Sequence, residues 1–326
     1  MNIVFMGTPD FAVESLEALY NAGHNILAVV TKVDSPSGRG MKLVPSPVKV
    51  FAEEKGLKVM QPEKVKNNEE FMNEIKAMNP ELIVVVAYGK ILPQEFLDIP
   101  RYGCVNVHGS LLPKYRGAAP IQWAVLNGEH TTGITTMFMD AGMDTGDMIL
   151  KIETPIDYEE TTGQLWTRMA KLGANLLIET MNRISSVTDS KFIENVAQLK
   201  SEIGARKQGD EFTLAPMLSK EMALIDWNKS ANEIHNLVRG LDPIMGAYTY
   251  INGKKLKIWK TYTRITSEKY SRTPGEILDI TPDGILVQTG EKTILIQEVQ
   301  AENSKRMSVR DYLNGNQIEK HQVFGK

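Results

Sequence analysis

Cysteine is nearly absent: the 326 residues hold one, Cys104. No disulfide framework can form and no Cys-based zinc site can be assembled, and a lone thiol fits a reducing compartment. Long apolar runs are missing too. Nothing reaches the roughly 18 residues of a membrane-crossing helix, so no membrane partner is expected. The chain opens on the strand-like Asn2-Ile3-Val4-Phe5-Met6-Gly7, with no basic region and no small-residue cleavage site. No signal peptide and a cytoplasmic location are therefore expected. Histidine is scarce: five are scattered along the chain, none in an H-E-x-x-H pattern, and no metal is expected. The turn Gly7-Thr8-Pro9-Asp10 lacks the second glycine of a dinucleotide fingerprint, so NAD and FAD are not expected. No phosphate-binding G-x-x-x-x-G-K-[ST] loop occurs, and the absence of G-x-S-x-G argues against an α/β-hydrolase.

What remains is an ordinary globular composition, 42% hydrophobic and 24% charged, long enough for about two domains. Short apolar runs alternate with helical patterns in the first half. Leu82–Ala87 is an unalternating apolar run, as expected of a strand buried on both faces. Thr8 is expected to cap the first helix with Pro9 inside it, and Ser46-Pro47 to open the second. This alternation predicts a doubly wound, mostly parallel, Rossmann-like α/β sheet. Later the period changes. Asn252-Gly253 sits between two strand patterns, a hairpin signal, and further short strands follow. A small OB-like β-barrel is expected there. The domain reading is residues 1–186, a linker over 187–206, and a second domain over 207–326. Charge divides as well. Up to Ala205 there are 19 Lys and Arg against 25 Asp and Glu, net −6; from Arg206 onward, 18 against 15, net +3.

Open α/β sheets bind ligands beyond the carboxyl ends of their strands. The richest polar run at such an end is Asn106-Val107-His108-Gly109-Ser110-Leu111-Leu112-Pro113. Strand alternation puts Asn106 and His108 on one face. An amide beside an imidazole suits a reacting carbonyl, because one can hold an oxyanion while the other moves a proton. The same spacing also fits a turn-capping asparagine beside a satisfied histidine. A second run, Met139-Asp140-Ala141-Gly142-Met143-Asp144-Thr145-Gly146-Asp147, carries three carboxylates. They could hold a metal, orient His108, or form a polar turn, and spacing does not choose among these.

These two runs, with Tyr115-Arg116-Gly117-Ala118-Ala119-Pro120-Ile121-Gln122 and the opening Phe5-Met6-Gly7-Thr8-Pro9-Asp10-Phe11, resemble the signature of the 10-formyltetrahydrofolate-dependent formyltransferases. The loop from Ser35 to Lys49, with Ala215–Glu221 and Ile225-Asp226-Trp227, resembles the branch that acts on methionyl-tRNA. The resemblance spans nearly the whole chain and is weakest over residues 186–212. It implies formyl transfer from 10-formyltetrahydrofolate to the α-amino group of methionyl initiator tRNA, for translation initiation. The alternative is a folate-dependent formyltransferase acting on a small-molecule amine. By the same resemblance Asn106, His108 and Asp144 are the catalytic trio. Ser110, Leu111, Leu112 and Pro113 line the folate site, Asp140 and Asp147 are structural, and no metal is required. Arg39, Lys42 and Lys49 on the loop, and Lys254, Lys255 and Lys257 around the later hairpin, are expected to hold tRNA phosphates. A monomer is expected.

Overall fold

Parallel strands need a crossover between neighbours, and the first part of the chain supplies one each time. The computed structural model describes residues 1–37, 42–264 and 273–325, the side chains of Ser37, Lys42 and Arg264 excepted. Along it run β1 (Asn2–Gly7), α1 (Asp10–Asn21), β2 (Asn25–Val30), β3 (Ser35–Ser37), β4 (Lys42–Val44), α2 (Pro47–Glu54) and β5 (Val59–Met60). Then come α3 (Glu69–Ala77), β6 (Leu82–Val86), α4 (Gln94–Leu97), β7 (Cys104–His108), β8 (Arg116–Gly117), α5 (Pro120–Leu126), β9 (Thr131–Phe138) and β10 (Met148–Pro155). They are followed by α6 (Thr162–Thr188), α7 (Val196–Glu202) and β11 (Leu214–Ala215). Seven strands form one sheet in the order β10-β9-β7-β6-β1-β2-β5. The pairs β5-β2, β2-β1, β1-β6 and β6-β7 are parallel, and β7-β9 is antiparallel. This is the expected Rossmann-like layer. All of Leu82–Val86 is buried, the two-faced burial its continuous apolar run requires.

One helix start differs from the sequence reading. Pro9, not Thr8, is the N-cap of α1, and it makes no side-chain cap. The Thr8 hydroxyl instead donates to the Tyr88 carbonyl at 3.3 Å. Ser46 does cap α2, accepting from the Lys49 amide at 3.1 Å with Pro47 at the first position. The polar stretch after α6 carries a further helix, α7, capped by the Asn195 side chain and anchored through buried Leu199 and Ile203.

The chain divides into two compact units. The first holds residues 1–120, 132–154 and 166–216; the second holds 121–131, 155–165 and 217–326. The second unit contains α8 (Ala231–Gly240), β12 (Ala247–Ile251), β13 (Lys254–Arg264), β14 (Ile277–Thr281), β15 (Gly284–Gln288), β16 (Thr293–Ala301), β17 (Met307–Ser308) and α9 (Val309–Leu313). Its strands form an antiparallel sheet, β12-β13-β16-β15-β14, with β17 on β16. Asn252 and Gly253 turn the first hairpin with φ of 51° and 72°, the pair of positive values that a two-residue turn with the strands' own twist demands. Ser230 and Glu233 form a capping box on α8. The earlier segments join this unit for a packing reason: Leu126 packs against its core, and a Cβ on Gly240 would lie 2.6 Å from Leu126 Cδ2. Among the described residues no helix is long and apolar enough to cross a membrane.

Candidate active site at the end of β7

Strand alternation puts Asn106 and His108 on one side of the last residues of β7, 9% and 5% exposed. Asp144 reaches them from the loop between β9 and β10. Asn106 Nδ2 donates to Asp144 Oδ1 at 3.4 Å, and His108 Nδ1 lies 3.7 Å from Asp144 Oδ2. The three residues singled out in the sequence are thus brought together. Asp144 has φ of 53°, unusual for a residue with a side chain. Its Oδ2 accepts the Gly117 amide at 2.8 Å. Gly117 has φ of 127°, and a Cβ there would lie 2.7 Å from the Ala215 carbonyl oxygen. Glycine is required for the chain to present that amide to Asp144.

The histidine tautomer follows from its partners. His108 Nε2 lies 2.9 Å from the Tyr115 carbonyl oxygen. A carbonyl can only accept, so Nε2 carries a hydrogen and donates it. In the neutral ring Nδ1 is then an acceptor, and it faces a second acceptor, the Asp144 carboxylate. The 3.7 Å between them is too long for a hydrogen bond. A nitrogen with two hydrogens, lying off the line between them, can donate to both. Asn106 keeps a second amide hydrogen for an oxygen beside that nitrogen. Two acceptors and one donor around a single point suit an amine attacking a carbonyl carbon.

The other two carboxylates of the loop are engaged elsewhere. Asp140 Oδ1 accepts from the Gly142 amide at 3.0 Å within its own turn. Asp147 pairs with Lys200 at 3.0 Å. Among the described residues no group of three His, Cys, Asp or Glu could hold a metal. A cleft of about 460 Å³ adjoins the same loop, lined by Leu97, Cys104, Phe138, Met139, Asp147 and Lys200 among others. Burial pushes the Cys104 thiol well above its ordinary range.

After His108 the chain is held tightly. The Thr135 hydroxyl donates to the Ser110 carbonyl at 2.7 Å and accepts the Leu112 amide at 3.1 Å. Lys151 donates to the Leu112 carbonyl. The Ser110 and Leu112 side chains are buried, whereas Leu111 and Pro113 are half-buried. Sequence reasoning missed Thr135, Gly117, Tyr115 and Gln208 as supports of the site. Gln208 Nε2 donates to the Asp144 and Gly146 carbonyls at 2.7 and 2.9 Å. Three of them act through backbone groups or from distant positions, which no local pattern marks. Thr135, whose hydroxyl faces the β7 end, was accessible through the alternation of β9.

The expected tRNA contacts fall differently. Arg39 lies outside the described residues, and Lys42 opens β4 with its side chain not described. Lys49 Nζ pairs with Asp34 at 2.8 Å. That bond, with one from Gln61, holds the Asp34 carboxyl below the usual carboxylate range. Lys254 begins β13. Lys255 Nζ stands 3.7 Å over the Tyr248 ring, and Lys257 Nζ donates to the Met245 carbonyl at 2.8 Å. Burial, with Lys255 nearby, pushes the Lys257 ammonium below its ordinary value.

Comparison with known proteins defines the class. Residues 1–181 match the formyl transferase family and residues 217–317 its C-terminal domain. A solved sugar 3N-formyl transferase, WlaRD, shares the fold with a TM-score of 0.65 at 20% identity, over 94% of this chain and 99% of that one. Relatives named methionyl-tRNA formyltransferase are far more similar. That of Acetivibrio thermocellus is 49% identical over all of both chains. That of Caldanaerobacter subterraneus subsp. tengcongensis is 50% identical over 98% of each. The chain belongs to the methionyl-tRNA formyltransferase family.

Proposed function

We propose that this chain transfers the formyl group of 10-formyltetrahydrofolate to the α-amino group of methionyl initiator tRNA, making formyl-methionyl-tRNA for translation initiation in the cytoplasm. The observation that carries the acceptor is the extent of the relationship. Identity of 49–50% to methionyl-tRNA formyltransferases runs through both units, against 20% for the sugar enzyme.

The β7 end supports the chemistry. His108 Nδ1 and Asp144 Oδ2 receive the two hydrogens of the neutral amine and aim its lone pair at the formyl carbon. Asn106 donates to the oxygen as it becomes an oxyanion. The new C–N bond forms, His108 takes a proton from the attacking nitrogen, and the bond from the formyl carbon to the folate nitrogen breaks. His108, now a donor at Nδ1, returns that proton to the departing nitrogen. Ser110–Pro113 line the folate site, with Leu111 and Pro113 offering the accessible apolar surface. Arg39, Lys42 and Lys49, and Lys254, Lys255 and Lys257, contact tRNA phosphates. Residues 1–186 carry the catalytic trio, 187–206 the connection, and 207–326 most of the surface for the tRNA body. The enzyme acts as a monomer and without a metal.

The test is a formylation assay with 10-formyltetrahydrofolate and, in separate reactions, methionyl-tRNA, free methionine and amino-sugar nucleotides. Only the acylated tRNA is expected to be formylated. Turnover of a small amine with none of methionyl-tRNA would sink the reading.

A further inference from the structure

The contacts behind Asp144 close into a ring. Arg116 Nε donates to Gln208 Oε1 at 2.9 Å. Gln208 Nε2 donates to the Asp144 carbonyl at 2.7 Å and the Gly146 carbonyl at 2.9 Å. The Asp144 carboxylate accepts the Gly117 amide at 2.8 Å, and the Arg116–Gly117 peptide completes the circuit. The orientation of the Gln208 amide follows from its partners. A guanidinium can only donate and the two carbonyls can only accept, so the flipped amide would meet three like groups. The ring is anchored at both ends. Arg116 is buried beneath the Phe212 ring, its guanidinium 4.5 Å from the centroid, and Tyr115 and Arg116 are bonded to Thr213 through their amides.

We infer that Gln208 is a positioning residue for Asp144, acting on the rate of formyl transfer and not on the binding of either substrate. Both of its amide hydrogens are spent on the turn that holds Asp144 in the left-handed region, a conformation needing external support in a residue with a Cβ. Without that clamp the turn can relax toward ordinary φ, and the Oδ2 that faces His108 Nδ1 moves with it. Misplacement of a reacting group by about 1 Å can cost roughly 10²-fold in rate. The inference rests on the functional reading given above, in which Asp144 takes part in proton transfer.

The experiment is a double-mutant cycle in single-turnover formylation of methionyl-tRNA, with excess enzyme so that weak variants are measurable. Gln208→Ala in the native background is expected to slow the chemical step by about 10–100-fold. KM for folate and for tRNA should each stay within about threefold. In the Asp144→Asn background the same change is expected to cost less than about twofold, because a residue acting through Asp144 has nothing left to position. Gln208→Glu keeps the acceptor for Arg116 but sets a carboxylate oxygen against the two carbonyls, so it should match or exceed the loss in Gln208→Ala. It also carries the cycle if the alanine variant does not fold, as read by thermal melting. An equal cost in both backgrounds, or native turnover in a folded Gln208 variant, overturns the proposal. A wild-type chain that does not formylate methionyl-tRNA overturns the functional reading and this inference together.

Discussion

Two buried histidines, one in each unit, look alike until their second ring nitrogen is considered. His108 and His235 are 5% and 2% exposed. Each has Nε2 on a backbone carbonyl, Tyr115 at 2.9 Å and Tyr158 at 3.1 Å. Each has a carboxylate nearby, Asp144 at 3.7 Å and Glu159 at 4.0 Å. The difference is at Nδ1. In His235 it lies 3.0 Å from the Thr261 hydroxyl, which can donate to it. The His235 ring also stacks on Tyr158 at 4.7 Å, and burial holds its pKa below the ordinary value. Every polar group of that imidazole is answered, so it is a structural brace between α8, β13 and the 155–165 segment. In His108 the same nitrogen faces an acceptor. Among the described residues no donor answers that nitrogen, which fits the proposed transfer of a proton from a substrate amine. Burial therefore does not tell the two histidines apart; the mismatch at the second ring nitrogen does, and it is what the proposed role of His108 rests on.

The largest expected effect separates the two residues by rate. Asn106→Ala, His108→Ala and Asp144→Ala should each lower kcat for methionyl-tRNA by about 10²–10⁴-fold, the size expected for losing a proton-transfer or oxyanion group. Their melting temperatures should stay near that of the wild type. Folded Asn106→Ala with native turnover would remove it from the site.

His235→Ala should reverse the pattern. It deletes a stacked ring and leaves the Thr261 hydroxyl and Tyr158 carbonyl without that partner, a loss of about 2–3 kcal/mol in unfolding free energy. Turnover per folded molecule should stay within about threefold. A rate loss as large as that of His108→Ala, with no loss of stability, would mean that His235 is no structural brace.

The β7 end was legible because strand alternation alone puts Asn106 and His108 together. Asp144 was one of three candidates in its loop, and only coordinates show that Asp140 is spent in its own turn and Asp147 on Lys200. Gln208 was not legible as a support, since hydrogen bonds to backbone carbonyls leave no periodic trace, whereas Thr135 stood opposite His108 in the β7–β9 register. The parallel sheet and the Asn252-Gly253 hairpin were legible from apolar runs and turn chemistry, which are local. α7 was not, because a helix of seven residues in a polar stretch buries too few apolar side chains to set a period. The membership of 121–131 and 155–165 in the second unit depends on long-range packing such as that of Leu126 on Gly240.

A smaller effect comes from Thr261→Val, which keeps the shape of the residue and removes the donor to His235 Nδ1. About 1 kcal/mol of stability should be lost, the usual net value of one buried hydrogen bond. Guanidinium unfolding followed by fluorescence would measure it. An unchanged midpoint would show that His235 is held by its stack and its carbonyl alone.

The finest test of the contrast is in the pH dependence of stability. Burial lowers the pKa of His235 in the folded chain from the ordinary value of 6.5. Between the folded and unfolded values the unfolded chain binds more protons, so stability rises with pH across that window. The contribution is fully present above about 6.5 and is lost progressively as pH falls toward the folded value. One such group gives a slope of at most about 1.4 kcal/mol per pH unit. His235→Gln cannot titrate there, and it can still donate to the Tyr158 carbonyl. Unfolding free energies measured from pH 7.5 down to 5 should therefore fall less steeply for His235→Gln than for the wild type, by up to that slope. The difference should open only below about 6.5. Parallel curves would mean that His235 binds a proton as readily in the folded chain as in the unfolded one, and its role as a neutral brace would be lost.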